Sequence, residues 1–181
     1  FSDLHGDTGV LDALKAKVHE ANPDMIVFTG NVAAEGPRLR EWMVAQQEHR
    51  LARCDLPEFR EEEHRNLQVY QAFFTALADT ARPCFVIPGR LDAPLDFYLR
   101  IALNRTVVAR NTFVAHARVS DKFNAPLPRE MHVCGFGGDL DENASELFFS
   151  LMFTRTQALY AVEPFIQFPL PKTMLLHAMP Y

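Results

Sequence analysis

The sequence has no excess of basic charge: 18 Lys and Arg face 23 Asp and Glu, a net charge of −5. A surface built to neutralise phosphate backbones is therefore not expected, and nothing points to nucleic acid. Cysteine is scarce, with Cys54, Cys84 and Cys134 alone in 181 residues and no CxxC pair. That count and spacing disfavour a disulfide framework and a cysteine zinc site. Two of the three lie in apolar runs, as buried thiols do, which suits a reducing intracellular compartment. No apolar stretch reaches about 18 residues without a charge or a proline, so no membrane-spanning helix is expected. The G-x-G-x-x-G spacing of a dinucleotide site and the G-x-S-x-G elbow of a serine hydrolase are missing too. The opening Phe1-Ser2-Asp3 and the stop at Tyr181, directly after an apolar run, predict a domain cut at both ends from something longer. Room for an upstream targeting segment remains.

What is present is an ordinary soluble composition, 48% hydrophobic and 23% charged, in a length that suits one domain with a substantial core. Apolar spacing predicts helices over 8–21, 66–81, 94–103 and 145–162, the first capped by Thr8. Short apolar runs at 25–28 and 84–87 suit buried strands, and 173–176 is again a short apolar strand that delivers His177 at its end. Further strands are expected at 106–109, 112–117 and 131–136, the middle ones paired as hairpins, with a proline-containing loop over 120–130. Residues 37–65 read as a charged insertion, in which the run Arg60 to Arg65 is a solvated helix face. The early alternation of helix and strand implies parallel strands, and ligands of such sheets sit beyond the strands' carboxyl ends. Asn31, Gly89-Arg90-Leu91-Asp92, Gly137-Gly138 and His177 all fall at such ends.

Asp3-Leu4-His5 is the strongest local signal for chemistry. If residues 1–5 end a strand, alternation puts the Asp3 carboxylate and the His5 imidazole on one side, where both can chelate one divalent metal. The bland reading makes Asp3 a helix cap and His5 a turn residue. Arg90 admits two readings as well: a phosphate clamp, or a turn arginine paired with Asp92 or with solvent. Asp92 is a ligand or, preferably, the cap of the helix after Pro94. Asp7 leans to helix-terminus electrostatics. The glycines of Gly135-Phe136-Gly137-Gly138 suit a tight turn or close approach to a neighbouring loop.

Four segments in order resemble the motifs of the calcineurin-like metallophosphoesterases. They are Ser2-Asp3-Leu4-His5-Gly6, then Pro23 to Asn31 ending Gly30-Asn31, then Phe85 to Asp92, and last Leu175-Leu176-His177. Gly30-Asn31, Pro88-Gly89-Arg90-Leu91-Asp92-Ala93-Pro94 and His177-Ala178-Met179-Pro180-Tyr181 are similar to a divergent branch of that superfamily. The resemblance implies an α/β sandwich of two mixed β-sheets flanked by helices. It implies a hydrolase acting on phosphomonoesters or phosphodiesters, with divalent ions (Mn, Fe, Zn or Mg), two per chain in the family. Metal ligands carried over are Asp3, His5, Asn31 and His177, and Arg90 becomes a candidate phosphate-binding residue.

The departures are specific. The family's bridging Asp is Asn31, its motif-three Asn is Arg90 and its motif-three His is Leu91. An amide brings no charge to hold two cations together, and a guanidinium cannot ligate a metal. The family's Gly-His-x-His motif does not occur in these 181 residues. Two functions follow as expectations. One is a metallophosphoesterase with a degraded second metal site, taking a phosphorylated small molecule or phosphodiester, with one or two ions bound. The other is a catalytically silent pseudoenzyme of the same fold, with no ion needed, docking a protein partner through residues 37–65.

Overall fold

The computed structural model describes residues 1–104, 111–117, 131–141, 147–167 and 171–177. The elements run α1 (Leu11–Ala21), β1 (Ile26–Phe28), α2 (Pro37–Gln47), α3 (Glu58–Asp79), β2 (Cys84–Val86) and α4 (Leu95–Ala102). Then come β3 (Thr112–Val114), β4 (His132–Phe136), β5 (Asp139–Leu140), β6 (Met152–Phe153), α5 (Arg155–Ile166) and β7 (Lys172–Leu176). Every strand pair among the described residues is parallel: β1 with β2, β2 with β3, β4 with β7, and β5 with β6. A parallel bridge between His116 and Gly135 carries β3 on to β4. The expected hairpin pairing of 112–117 with 131–136 is thereby corrected. The connecting residues 118–130, with the expected loop, and the expected strand 106–109 lie outside the described residues.

The sheet is apolar on both faces, which is why its strands read as unbroken apolar runs. Ile26, Phe28, Cys84 and Val86 meet Val18 of α1, Phe73, Phe74 and Leu77 of α3, and Tyr98 of α4. Phe85 and Ile87 point the other way, to Ala115, Val133 and Leu175. Cys84 and Cys134 are buried free thiols and Cys54 is exposed. Burial pushes the Cys84 thiol up to about 11, so it stays protonated. Among the described residues no helix is long and apolar enough to cross a membrane.

Three expectations about helices need correction. Thr8 does not cap the first helix; Asp7 does the capping, accepting from the Gly9 amide at 2.9 Å at the head of a short 3-10 turn, Thr8–Val10. The apolar spacing over 145–162 does not make one helix. Met152–Phe153 is strand, and α5 starts at a Thr154–Gln157 capping box, with each side chain serving the other's backbone amide. The charged run at 60–65 is helical but not wholly solvated. Glu62 turns inward, 6% exposed, on the same stripe of α3 as Phe59, Asn66, Tyr70 and Phe73.

Candidate phosphoester site

Parallel pairing brings the carboxyl ends of β1, β2, β4 and β7 to one edge. At that edge the chain from Asp3 zips along the loop after β1. Asp3 N donates to Gly30 O at 2.8 Å, His5 N to Asn31 O at 3.0 Å, and Gly6 N to Val32 O at 2.9 Å. The segment is not the plain extended strand expected from alternation. Asp3, His5 and Asn31 all have left-handed backbones, with φ of 60°, 49° and 57°. Asp, Asn and His tolerate that conformation better than most residues, and strain of this kind gathers at functional sites. The Asp3 and His5 side chains still meet, with Nε2 3.4 Å from Oδ1, on a half-exposed surface.

The loops after β1 and β2 touch backbone to backbone. A Cβ on Gly89 would fall on the Asn31 backbone nitrogen and its side-chain oxygen. Gly89→Ala is therefore expected to destabilise the protein by about 2–3 kcal/mol through forced backbone displacement. Urea unfolding measures it, and a cost below about 0.5 kcal/mol would mean the loops are not in contact.

Asn31, 9% exposed, uses both ends of its amide. Nδ2 donates to Asp3 Oδ1 at 2.8 Å, and Oδ1 accepts from Leu91 N at 3.0 Å. Partial burial pushes the Asp3 carboxyl up. Hydrogen bonds from Ser2 and Asn31 and the charges of His177 and His5 outweigh it, so Asp3 ends below its ordinary value and is ionised at neutral pH. His177 Nδ1 lies 2.5 Å from Thr29 O. A carbonyl only accepts, so Nδ1 carries a proton in this contact.

Arg90 is held at the backbone. Its carbonyl accepts from Leu151 N at 3.0 Å and Ser150 Oγ at 3.4 Å. Its Nε is buried without a partner among the described residues, and its guanidinium reaches Asp139 only loosely, at 3.9 Å. The expected pairing with Asp92 does not form. Asp92 is fully buried and accepts from Ala33 N, Gly89 N, Val32 N and Tyr70 Oη. It is neither ligand nor cap: the cap position of α4 is Pro94, with no side-chain bond. Sequence reasoning missed this role, and also Tyr70. The glycines behave as expected, since a Cβ on Gly137 would strike the Pro88 carbonyl. Gly137 N donates to His116 Nδ1 at 2.9 Å, and His116 is a buried structural histidine against Phe136 and Phe153.

The family model for "Metallophosphoesterase, calcineurin superfamily" matches residues 1–181. The chain belongs to the calcineurin superfamily of metallophosphoesterases. One solved crystal structure superposes with a TM-score of 0.82 at 26% identity, covering 97% of this chain and 65% of its own. TT1561 of Thermus thermophilus superposes with a TM-score of 0.71 at 23% identity, covering 99% of this chain and 66% of its own, and shows the fold alone. The chain thus spans about two thirds of the length of the structures it matches. No curated protein matches. The fold is the calcineurin-like α/β fold, as the motifs imply.

Members of this family usually bind divalent metals, so the donor set is the natural test. Among the described residues no group of three His, Cys, Asp or Glu side chains could hold an ion. Asp3 and His5 stand together, with Nε2 3.4 Å from Oδ1, while His177 is tied through Nδ1 to Thr29 O. The bridging position does not fit a metal pair, because it is filled by a neutral amide whose N–H faces Asp3. A guanidinium follows Gly89, at the position where the family resemblance expects the second ion's ligand.

Proposed function

We propose that this member of the family binds a phosphate ester with no more than one divalent ion and has lost two-metal hydrolysis. Asp3 and His5, which meet at 3.4 Å, would hold the ion, which would supply positive charge to a phosphoryl oxygen. Arg90 supplies the fixed charge that a second ion would otherwise bring, through a fork matched to phosphate oxygens. The observation that carries the reading is the Asn31 amide, engaged at both ends and uncharged. Two cations at short range need an anionic bridge, and the Asn31 amide is not one. Leu91 removes the imidazole that would assist a leaving group.

Inorganic phosphate and bis(p-nitrophenyl) phosphate test the reading. Calorimetry is expected to show phosphate binding that Arg90→Ala weakens about tenfold or more, the range for charge-assisted bonds. Turnover of the diester with Mn²⁺ is expected to equal that of Asp3→Ala. Mn²⁺-dependent turnover that Asp3→Ala abolishes would overturn the loss of hydrolysis, and unchanged phosphate affinity in Arg90→Ala would remove the clamp.

A further inference from the structure

We propose that Asp92 is the positioning residue of this site: its buried carboxylate fixes where Asn31 and Arg90 stand, and so governs phosphate binding through Arg90 without touching the ligand. The proposal rests on the reading of Arg90 as the phosphate clamp.

The placement of its partners carries the inference. Oδ1 accepts from Ala33 N at 2.8 Å and from Tyr70 Oη at 3.1 Å. Oδ2 accepts from Gly89 N at 2.7 Å and from Val32 N at 3.3 Å. Val32 and Ala33 directly follow Asn31, and Gly89 directly precedes Arg90. One carboxylate thus staples the two loops at the residues flanking the site. A second bridge lies beside it, Leu91 N to Asn31 Oδ1. Asp92 N also returns a bond to Gly89 O at 3.2 Å, which closes the turn that carries Arg90. Tyr70, fully buried on α3, anchors the staple to the core. All four acceptor directions of the carboxylate are used, so the group has no capacity left for a metal or a ligand.

An amide cannot replace it. Asparagine would turn an NH₂ towards backbone donors on one side, and the loops would separate or shift there. The far end of the same loop is held similarly, since Glu62 accepts from Arg38 N at 3.2 Å. Only the Asp92 end bears on Asn31 and Arg90.

The test uses Asp92→Asn and the milder Tyr70→Phe, each alone and combined with Arg90→Ala. Phosphate affinity is read by calorimetry at a temperature where circular dichroism shows the variants folded. Protection of the Leu91 amide is read by hydrogen exchange, with the β4 amides as the internal control. Asp92→Asn is expected to weaken phosphate about tenfold through misplacement of the clamp, and Tyr70→Phe about threefold through loss of one hydrogen bond. Both losses should vanish over Arg90→Ala, and Leu91 should lose protection while β4 keeps its own. A purely structural role predicts lowered thermal stability with phosphate affinity unchanged, and that result overturns the proposal; so does an equal loss with and without Arg90. If Asp92→Asn does not fold, Tyr70→Phe carries both readouts. If the wild type binds no phosphate, the clamp reading itself fails. Exchange then decides the placement, and intact Leu91 protection in Tyr70→Phe and Asp92→Asn rejects it.

Discussion

Asn31→Asp is expected to convert a cross-loop hydrogen bond into a cation-dependent contact. In the wild type, Nδ2 donates to Asp3 Oδ1 at 2.8 Å. Aspartate replaces that donor with a second anion at the same range. Two carboxylates so close cannot both ionise freely, so they share a proton or recruit a cation. Without metal the variant should lose about 1–3 kcal/mol, because a part-buried hydrogen bond becomes a repulsion. The sign of the pH dependence follows from linkage. Sharing raises one carboxyl above its unfolded value, so the folded state binds more protons than the unfolded chain. Metal-free stability then falls as pH rises from the unfolded carboxylate value to the raised folded one, and the loss is complete above the latter. Mn²⁺ should restore the difference, since an ion held by the folded state at a hundred times its Kd stabilises by about 2.7 kcal/mol. Thermal unfolding at pH 5 and pH 8, with and without Mn²⁺, reads all three effects. A variant that melts like the wild type and ignores Mn²⁺ would show that Asn31 does not occupy the bridging position.

Arg38→Ala is expected to be the costliest substitution away from that edge. Arg38 is 2% exposed and lies over the rings of Phe59 and Phe148, at 5.2 and 4.9 Å from their centroids. Nη1 is 3.4 Å from Glu62 Oε2, and Nη2 is 2.5 Å from Glu63 Oε1. Removing the cation strands the buried Glu62 carboxylate, for which the expected cost is about 3–5 kcal/mol. Burial already pushes the Glu62 carboxyl up, and Arg38 draws it part of the way back. Without Arg38 it rises further and is neutral over more of the pH range. The deficit should therefore shrink from pH 8 to pH 5, where neutralising the buried acid costs less. Adding Glu62→Gln should recover part of the loss at pH 8. Urea unfolding at the two pH values checks this, and a deficit under about 1 kcal/mol and independent of pH would leave the buried pair without energetic weight.

The parts of the fold legible in the sequence are those with a one-dimensional signature. β1 and β2 sit between two apolar layers and stand out as runs without alternation, and β7 shows the same kind of apolar run although only its Leu175 is buried. Their carboxyl ends deliver Asn31, Arg90 and His177 to one edge, as strand order alone required. The helix at 145–162 misled because Leu147, Phe148 and Leu151 keep helical spacing by coincidence. Thr154-x-x-Gln157 was the sharper signal, and it sets the true start of α5. The stripe of α3 was readable too, once Glu62 and Asn66 are admitted among Phe59, Tyr70 and Phe73. A charge run hides an inward carboxylate when its partner, Arg38, lies 24 residues upstream. Asp92 was the least legible. Its partners are backbone amides from distant segments, and amides carry no residue code.

The most direct test of the account is the metal content of the wild-type protein after equilibration with Mn²⁺ and desalting, measured beside Asp3→Ala. The neutral Asn31 bridge predicts no more than one ion per chain, lost in the variant. Two ions per chain, both lost with Asp3, would contradict the account: the bridging position would then hold a metal pair despite its amide, and two-metal hydrolysis would be the better reading.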